Sequence, residues 1–270
     1  WNLTQSNHIM LHIVPVRAFT DNYIWVIHDR CHAAVVDPGD AAPVLDFLQR
    51  ENLQLVAILN THHHNDHVGG NAALLREFPV PVYGPAHESI PTLTHRLQEG
   101  DNVQLAEFPL SFNVFDIPGH TAGHIAYYGA NLLFCGDTLF ACGCGRLFEG
   151  TPQQMYASLQ KLAGLPDETL VYCGHEYTLA NIHFARAVES GNQALLELEA
   201  ATRKLREQDI PTLPSTIMRE KATNPFLRCN QFEVIQSASN YLGASLPDPV
   251  SVFAAIRNWK NDFVVPQREQ

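Results

Sequence analysis

The 270-residue chain has little positive charge, few cysteines and no long apolar run. It contains 17 lysines and arginines and 28 aspartates and glutamates, which gives a formal net charge of −11. Such a charge argues against non-specific binding to nucleic acid or to an anionic membrane surface. No apolar run reaches the roughly 18 residues that a membrane span needs, and residues 1–9 lack the layout of a signal peptide. We therefore expect a protein that binds neither nucleic acid nor membrane.

The six cysteines show no paired framework, and a chain of this length does not need disulfides to hold a core. Four of the six stand in apolar or glycine-rich surroundings. This favours reduced thiols in a reducing compartment, and hence a cytoplasmic location. Cys142-Gly143-Cys144 is also a possible redox or metal-binding pair, although two cysteines at this spacing are weak evidence.

The most informative stretch runs from Thr61 to His67 and holds four histidines and an aspartate. An apolar run, Leu53 to Leu59, precedes it and an apolar-periodic segment follows, so the motif lies where a strand ends and a helix begins. In extended backbone, side chains two apart share a face, which puts His62 and His64 together. The pair Asp66-His67 falls in the turn that opens the helix. Imidazoles and a carboxylate around one point are ligands of a borderline-soft divalent cation. We predict a metal centre, with two ligand sets and thus two metals, rather than a histidine-rich loop or a purification tag.

Three later strand ends repeat one design, in which an apolar strand is followed by glycine and then by a single histidine or aspartate. They are Pro118-Gly119-His120, Cys135-Gly136-Asp137 and Cys173-Gly174-His175. Glycine lets the backbone turn tightly at a strand end, so each side chain can reach a common cavity at one rim. Asp37 also ends a strand, but a carboxylate before Pro-Gly is more often a turn or capping group.

Short strands with intervening helices fill the chain up to about residue 176, a pattern typical of an α/β sandwich of two sheets. Residues 1–9 precede Met10, a plausible native start, and are expected to be foreign to the native chain or disordered. We predict a main domain over residues 10–176 and a smaller helical domain over residues 177–270. No strand is predicted in the second domain, and its helices are expected at Ala180–Glu189, Leu195–Gln208, Phe232–Leu242 and Val250–Trp259.

The run His62-x-His64-x-Asp66-His67, with His120, Asp137 and His175 downstream, resembles the metallo-β-lactamase superfamily. Further motifs narrow the resemblance to the hydroxyacylglutathione hydrolase, or glyoxalase II, family. These motifs are Asp21-Asn22-Tyr23, Thr61 to Gly70, Pro118 to Thr121, Cys135 to Thr138, Cys144 to Gly150, His175 to Thr178, Leu213 to Thr216, Asn224-Pro225-Phe226 and Arg257-x-x-Lys260.

The resemblance implies an αββα sandwich that carries catalysis and a smaller C-terminal all-α domain that binds substrate. It also implies two divalent metals, zinc by preference, with iron or manganese suited to the same ligands. His62, His64 and His120 would hold the first metal. Asp66, His67 and His175 would hold the second. Asp137 would bridge the two together with a hydroxide, and Asp66 and Asp137 would be the catalytic carboxylates.

The reaction implied is hydrolysis of S-D-lactoylglutathione to D-lactate and glutathione, a step of methylglyoxal detoxification. The hydroxide would attack the thioester carbonyl, and a thiolate with a parent pKa of about 8.5 leaves with little help from an acid. The partner would be this small molecule alone, with the enzyme a monomer.

Five residues would bind glutathione by resemblance: Arg146, Phe148, Tyr177, Arg257 and Lys260. The alternative for the Arg257–Lys260 pair is a solvated surface charge, since residues three apart share a side of any helix. Some relatives carry a tyrosine where this chain has Phe148, so one hydroxyl donor is lost.

Several alternatives stay open at this point. His63 and His124 are expected to support the ligands or to be structural. A one-iron dioxygenase acting on glutathione persulfide shares the scaffold, as do lactonases, β-lactamases and RNA-processing nucleases. The net charge conflicts with a nuclease. A non-catalytic binding module is the remaining possibility.

Overall fold

The computed structural model describes residues 11–105 and 107–264. The prediction for residues 1–9 therefore lies outside the described residues. Within the described part, no helix combines the length and the apolar character needed to cross a bilayer.

The first sheet has six strands in chain order, antiparallel from the first to the third and parallel from the third to the sixth. Its strands are β1 (His12–Ala18), β2 (Asn22–His28), β3 (His32–Val36), β4 (Gln54–Leu59), β5 (Val82–Pro85) and β6 (His95–Leu97). The connections contain α1 (Ala41–Glu51), α2 (Asn65–Val68) and α3 (Asn71–Glu77).

The second sheet also has six strands, in the order β14-β13-β10-β9-β8-β7. They are β7 (Asn102–Leu105), β8 (Leu110–Asp116), β9 (Ile125–Gly129), β10 (Leu132–Gly136), β13 (Leu170–Cys173) and β14 (Ser215–Thr216). Between β10 and β13 lie a hairpin of β11 (Leu139–Phe140) and β12 (Gly143–Cys144) and the helix α4 (Pro152–Ala163).

The central strands of the first sheet are buried on both faces. In β2, Trp25 packs in the core shared with the second sheet, whereas Ile24 and Val26 pack in the core shared with α1. A strand covered on both sides reads as a continuous apolar run rather than an alternating one. This explains why β2 and β3 are so uniformly apolar, and it places the helices of the first half on the outer face.

Two backbone hydrogen bonds join the sheets at one rim. Tyr23 N donates to Gly174 O over 2.8 Å, and Ile125 N donates to Thr61 O over 2.9 Å. The first bond joins the start of β2 to the end of β13, and the second joins the end of β4 to the start of β9. The loops that carry the histidines and aspartates of the sequence motifs all leave from this rim.

The remaining chain is mostly helical, with α5 (Thr178–Val188), α6 (Gln193–Glu207), α7 (Ile217–Thr223), α8 (Phe232–Leu242) and α9 (Pro249–Asp262). The fold class predicted from the sequence is confirmed. Two details differ from the prediction: α7 was not expected, and Ser215 and Thr216 pair antiparallel with β13 and complete the second sheet, although no strand was predicted here. A two-residue strand is too short for a periodic pattern, so only its tertiary partner determines it. The domain boundary near residue 176 stays a prediction.

Candidate metal centre

All seven predicted ligands converge at the rim where the two sheets meet. His64 stands in extended backbone (φ −60°, ψ 143°) directly before α2, and Asp66 and His67 lie in the first turn of that helix. His120 follows β8, Asp137 follows β10, and His175 follows β13. The glycine before Asp137 has φ of +47°, a left-handed conformation that favours glycine. Gly119 before His120 also has a positive φ, of +152°, whereas Gly174 before His175 does not. At Gly174 a side chain is excluded instead by close packing, because an added Cβ would lie 2.6 Å from Asp137 Oδ1.

The first group consists of three imidazole nitrogens. His62 Nε2 lies 3.2 Å from His64 Nδ1, which lies 3.0 Å from His120 Nε2. Ligand atoms about 2.0–2.1 Å from a tetrahedral zinc ion stand about 3.3 Å apart. Burial lowers the pKa of all three imidazoles, so they are neutral and can donate lone pairs. The group fits a cation of this size and softness.

The second group combines two imidazoles with a carboxylate. His67 Nε2 lies 3.3 Å from His175 Nε2 and 3.4 Å from Asp66 Oδ2, and the last two atoms are 3.5 Å apart. Burial alone would lower the pKa of His67, but the Asp137 carboxylate raises it well above its usual value. The surroundings of this group therefore favour a positive charge at its centre.

Asp137 stands between the two groups. Its Oδ2 lies 3.2 Å from His175 Nε2 and 3.5 Å from His120 Nε2, so one oxygen approaches both sets. Its Oδ1 is buried and lies 3.4 Å from His67 Nε2, but it accepts no well-formed hydrogen bond among the described residues. Burial raises the pKa of a carboxyl, yet His67 and His175 hold that of Asp137 well below its usual range. A buried, ionised carboxylate is costly unless positive charge neutralises it, so this position favours a bound cation.

The rings are held in place by contacts on the side away from the centre. His67 Nδ1 lies 3.1 Å from Asp37 Oδ2, and His175 Nδ1 lies 2.8 Å from Asp21 Oδ1. His120 Nδ1 donates to the carbonyl of Arg146 over 2.9 Å. Such partners fix the tautomer, so that the other nitrogen presents its lone pair inward.

Sequence reasoning missed the carboxylates behind these rings. Asp37 stands in a turn as expected, but the cap of α1 is Asp40, which accepts from Ala42 N. The Asp37 side chain instead accepts from the backbone N and hydroxyl of Thr61 and faces His67. The sequence offered one signal for this role of Asp37, namely its position at the end of a strand, like the candidate ligands.

The two remaining histidines of the motifs lie beside the candidate ligands. His124 is buried, stacks on His62 at 4.6 Å, and accepts from Asp137 N through Nε2. His63 points away from the centre toward Glu88 and Glu149. Neither is placed among the candidate ligands, and whether each supports the ligands or is structural stays a prediction.

A cavity of about 640 Å³ opens over the centre and is lined by all five predicted substrate-binding residues. Phe148 is 63% exposed, and its ring packs edge-on against His64 at 5.6 Å and His120 at 5.3 Å. Tyr177 stacks on His175 with ring centroids 4.7 Å apart. Burial raises the pKa of Tyr177, so its hydroxyl remains a donor at neutral pH. Arg146 is exposed at the rim of the cavity.

The two cations from α9 are not free surface charges. Arg257 is buried, and its guanidinium donates to the carbonyl of Cys144 over 2.8 Å and to Asn261 Oδ1 over 3.2 Å. Lys260 Nζ lies 5.2 Å from the centre of the Phe184 ring. Burial, followed by the charge of Arg257, lowers the pKa of Lys260 to about 8. Both residues line the cavity, which disfavours the solvated-surface alternative.

The Cys142–Cys144 pair gives no support for redox or metal chemistry. Both thiols are free and buried, and burial raises the pKa of each. Their sulfurs contact Thr223 and Arg257 respectively. A thiol with a raised pKa is a poor nucleophile and a poor metal ligand.

Comparison with known proteins relates both halves of the chain to characterised families. The family described as metallo-beta-lactamase superfamily matches residues 18–175, and the one described as hydroxyacylglutathione hydrolase C-terminus matches residues 176–263. A hydroxyacylglutathione hydrolase of Nitrosomonas eutropha is 63% identical over 254 residues, which cover 94% of this chain and 100% of that protein.

Two solved structures share the architecture. ETHE1 from Myxococcus xanthus is 28% identical with a TM-score of 0.63, and the match covers 93% of this chain and 98% of that one. TTHA1623, solved in a di-iron-bound form, is 27% identical with a TM-score of 0.55, and the match covers 80% of this chain and 100% of that one.

Proposed function

The chain belongs to the hydroxyacylglutathione hydrolase family of the metallo-β-lactamase superfamily, and we propose that the centre described above is where it acts. It is a thioester hydrolase that converts S-lactoylglutathione to lactate and glutathione. The single observation that carries the assignment of the site is the convergence of two ligand groups on Asp137, at the floor of the cavity.

The two groups suit a dinuclear metal centre. We assign the first metal to His62, His64 and His120, the second to Asp66, His67 and His175, and a bridging position to Asp137. Two bound divalent cations would supply Lewis acidity and lower the pKa of a bound water from 15.7 to about 7, which provides a nucleophile at neutral pH.

The protein's own residues fix the geometry of attack. Asp66 and Asp137 are the carboxylates that offset the positive charge of the centre, while neutral imidazoles leave the rest of that charge in place. Asp137 Oδ2 approaches both groups and so sets their separation. The Phe148 ring covers His64 and His120 on the open side and limits the access of bulk water.

Binding of glutathione needs local cations, because the chain is acidic overall and the ligand carries two carboxylates. We propose that Arg146, Arg257 and Lys260 supply them and that the Tyr177 hydroxyl donates a hydrogen bond. Their presence around one cavity supports this assignment. The leaving thiolate has a parent pKa of about 8.5, so no strong acid is required beside the sulfur.

We propose zinc as the metal, since mixed imidazole and carboxylate ligation suits it well, with iron or manganese as alternatives. The di-iron form of TTHA1623 supports iron as a substitute in a related centre. The presence of two complete donor groups favours a two-metal hydrolase over a one-iron dioxygenase.

We further propose that the protein works as a monomer in the cytoplasm. The six cysteines are all free thiols, five of them buried, which suits a reducing compartment. Size-exclusion chromatography with light scattering tests the monomer, and a mass near 60 kDa rather than the chain's own 30.1 kDa would contradict it.

The function is tested by following free thiol released from S-D-lactoylglutathione by metal-loaded protein. We expect turnover at neutral pH and none after the metals are removed with a chelator. Cleavage of a lactone or a β-lactam in place of the glutathione thioester would overturn the proposal.

A further inference from the structure

A network of one imidazole and two carboxylates lies beside the first ligand group and takes no part in the chemistry above. His63 Nδ1 lies 3.0 Å from Glu88 Oε2, and His63 Nε2 lies 3.3 Å from Glu149 Oε1. The Glu88 side chain is 2% exposed, whereas that of Glu149 is 38% exposed. Because ionised carboxylates only accept, a ring N–H donates in at least one of these contacts.

The other oxygens of both carboxylates hold the backbone that follows His120. Glu88 Oε1 accepts from Thr121 Oγ1 and from Gly123 N, and Glu149 Oε2 accepts from Ala122 N over 2.8 Å. A Cβ added at Gly123 would lie 2.6 Å from Glu88 Cγ, so this backbone is wrapped closely around the carboxylate. The segment after a metal ligand is thus held from two sides.

The substrate-binding loop lies against the same segment. We define it as residues 145–150, which include Arg146 and Phe148. Phe148 N donates to His120 O over 3.2 Å, and the Arg146 carbonyl accepts from His120 Nδ1. Gly150 N donates to Gly119 O over 3.1 Å. Glu149 therefore ties this loop to His63, which sits between the two ligands His62 and His64.

Although the three side chains lie close enough together to surround a cation, their polar atoms are already used. Each of the four carboxylate oxygens accepts a hydrogen bond or faces a ring nitrogen of His63. A metal at this place would have to break those contacts. The network links loops rather than binding a third ion.

We propose that His63, Glu88 and Glu149 are positioning residues, which fix the position of the substrate-binding loop relative to the first ligand group. Glu88 is the buried anchor and Glu149 is the contact from the loop itself. The inference rests on the proposed function, because it assigns a role toward the same substrate. If so, removal of the Glu149 carboxylate should weaken substrate binding more than it weakens metal binding.

The test compares Glu149→Ala with Glu149→Gln and with a matched control, Glu233→Ala. Glu233 is another glutamate whose carboxylate accepts a loop N–H, that of Gly191 over 2.9 Å, but it lies on α8 away from the cavity. For Glu149→Ala we expect KM for S-lactoylglutathione to rise about five- to tenfold, with kcat within about twofold and two metals retained. Glu149→Gln, which can still accept from Ala122 N, should recover most of this loss.

A second measurement does not depend on turnover. Trypsin cleaves after Arg146, which is exposed in the loop, so the rate of cleavage there reports how firmly the loop is held. We expect several-fold faster cleavage in Glu149→Ala than in wild type, in both the metal-free and the metal-loaded protein, and no change in Glu233→Ala.

Glu88→Ala removes the deeper anchor and should also weaken metal retention by the first ligand group, while Glu88→Gln retains it. Wild-type KM and wild-type cleavage after Arg146 in Glu149→Ala would overturn the inference. Failure of the proposed function would show differently, as wild-type protein that releases no thiol, and the cleavage test would still decide the role of the network.

Discussion

His67 and Asp37 form a buried pair behind the metal centre, with Nδ1 of the histidine 3.1 Å from Oδ2 of the aspartate. The same carboxylate accepts from the backbone N of Thr61 over 2.7 Å and from its hydroxyl over 2.6 Å. One side chain from the end of β3 therefore fixes both the start of the histidine motif and the orientation of a ligand in the second group.

We expect Asp37→Ala to weaken metal binding by the second group about 10- to 100-fold, the usual cost of losing a partner behind a ligand. Each donor left without an acceptor should also cost about 1–3 kcal/mol of unfolding free energy. Metal retained per chain during competition with a chelator measures the first effect, and denaturant unfolding measures the second.

The matched control for this prediction is Asp40→Ala. Asp40 lies three residues away and caps α1 through Ala42 N, without touching the centre. Its loss should cost about 1 kcal/mol of stability while both metals stay bound. If Asp37→Ala held its second metal as tightly as Asp40→Ala, the role given to Asp37 would be wrong.

Asp137→Asn is expected to remove at least one metal and to lower kcat/KM by more than about a hundredfold. The amide keeps the size of the side chain but loses the charge that both ligand groups face, and a direct ligand should matter more than the partners behind it. Elemental analysis and thiol release measure the two effects. The control is Asp101→Asn, a surface turn carboxylate that accepts from Gln98 N, which should leave both unchanged.

We expect Lys260 to make substrate binding dependent on pH. With a pKa lowered to about 8 by burial, the ammonium is present at pH 7 and largely lost at pH 9. Since only the charged form attracts a glutathione carboxylate, KM should rise about tenfold between these pH values. Initial rates over a range of substrate concentrations measure this at each pH.

Lys260→Arg separates this effect from other titrations, because a guanidinium stays protonated throughout the range. The variant should show a KM that no longer rises between pH 7 and pH 9. An unchanged rise in Lys260→Arg would assign the pH dependence to another group.

Phe148→Tyr should lower KM about two- to tenfold, the worth of one added hydrogen bond. The ring is exposed at the cavity and packs on His64 and His120, so a hydroxyl at its tip can reach a bound substrate. Phe232→Tyr, at an exposed ring outside the cavity, is the control. Equal KM values for the two variants would show that the missing hydroxyl does not matter here.

The convergence of the candidate ligands could be predicted from the sequence because each has a local signal. The spacing of His62, His64 and the Asp66-His67 pair follows the geometry of a strand end and a first helical turn, and the glycine before His120, Asp137 or His175 marks a tight turn. The short strands with intervening helices up to about residue 176 predicted the fold class in the same way.

The partners behind the ligands could not be predicted in this way. Asp21 meets His175 across 154 residues of chain, and Asp37 meets His67 across 30. The two-residue strand β14 likewise exists only because β13 lies beside it. Contacts of this kind depend on how the folded sheets pack against each other. They produce no periodic pattern of apolar residues in either segment.

We propose that two cations, held by groups that share Asp137, enable the protein to hydrolyse a glutathione thioester. The most direct test adds zinc stepwise to metal-free protein and follows thiol release from S-D-lactoylglutathione. We expect the rate to reach its plateau at two equivalents of zinc per chain. A plateau at one equivalent, or no thiol release at any loading, would contradict it.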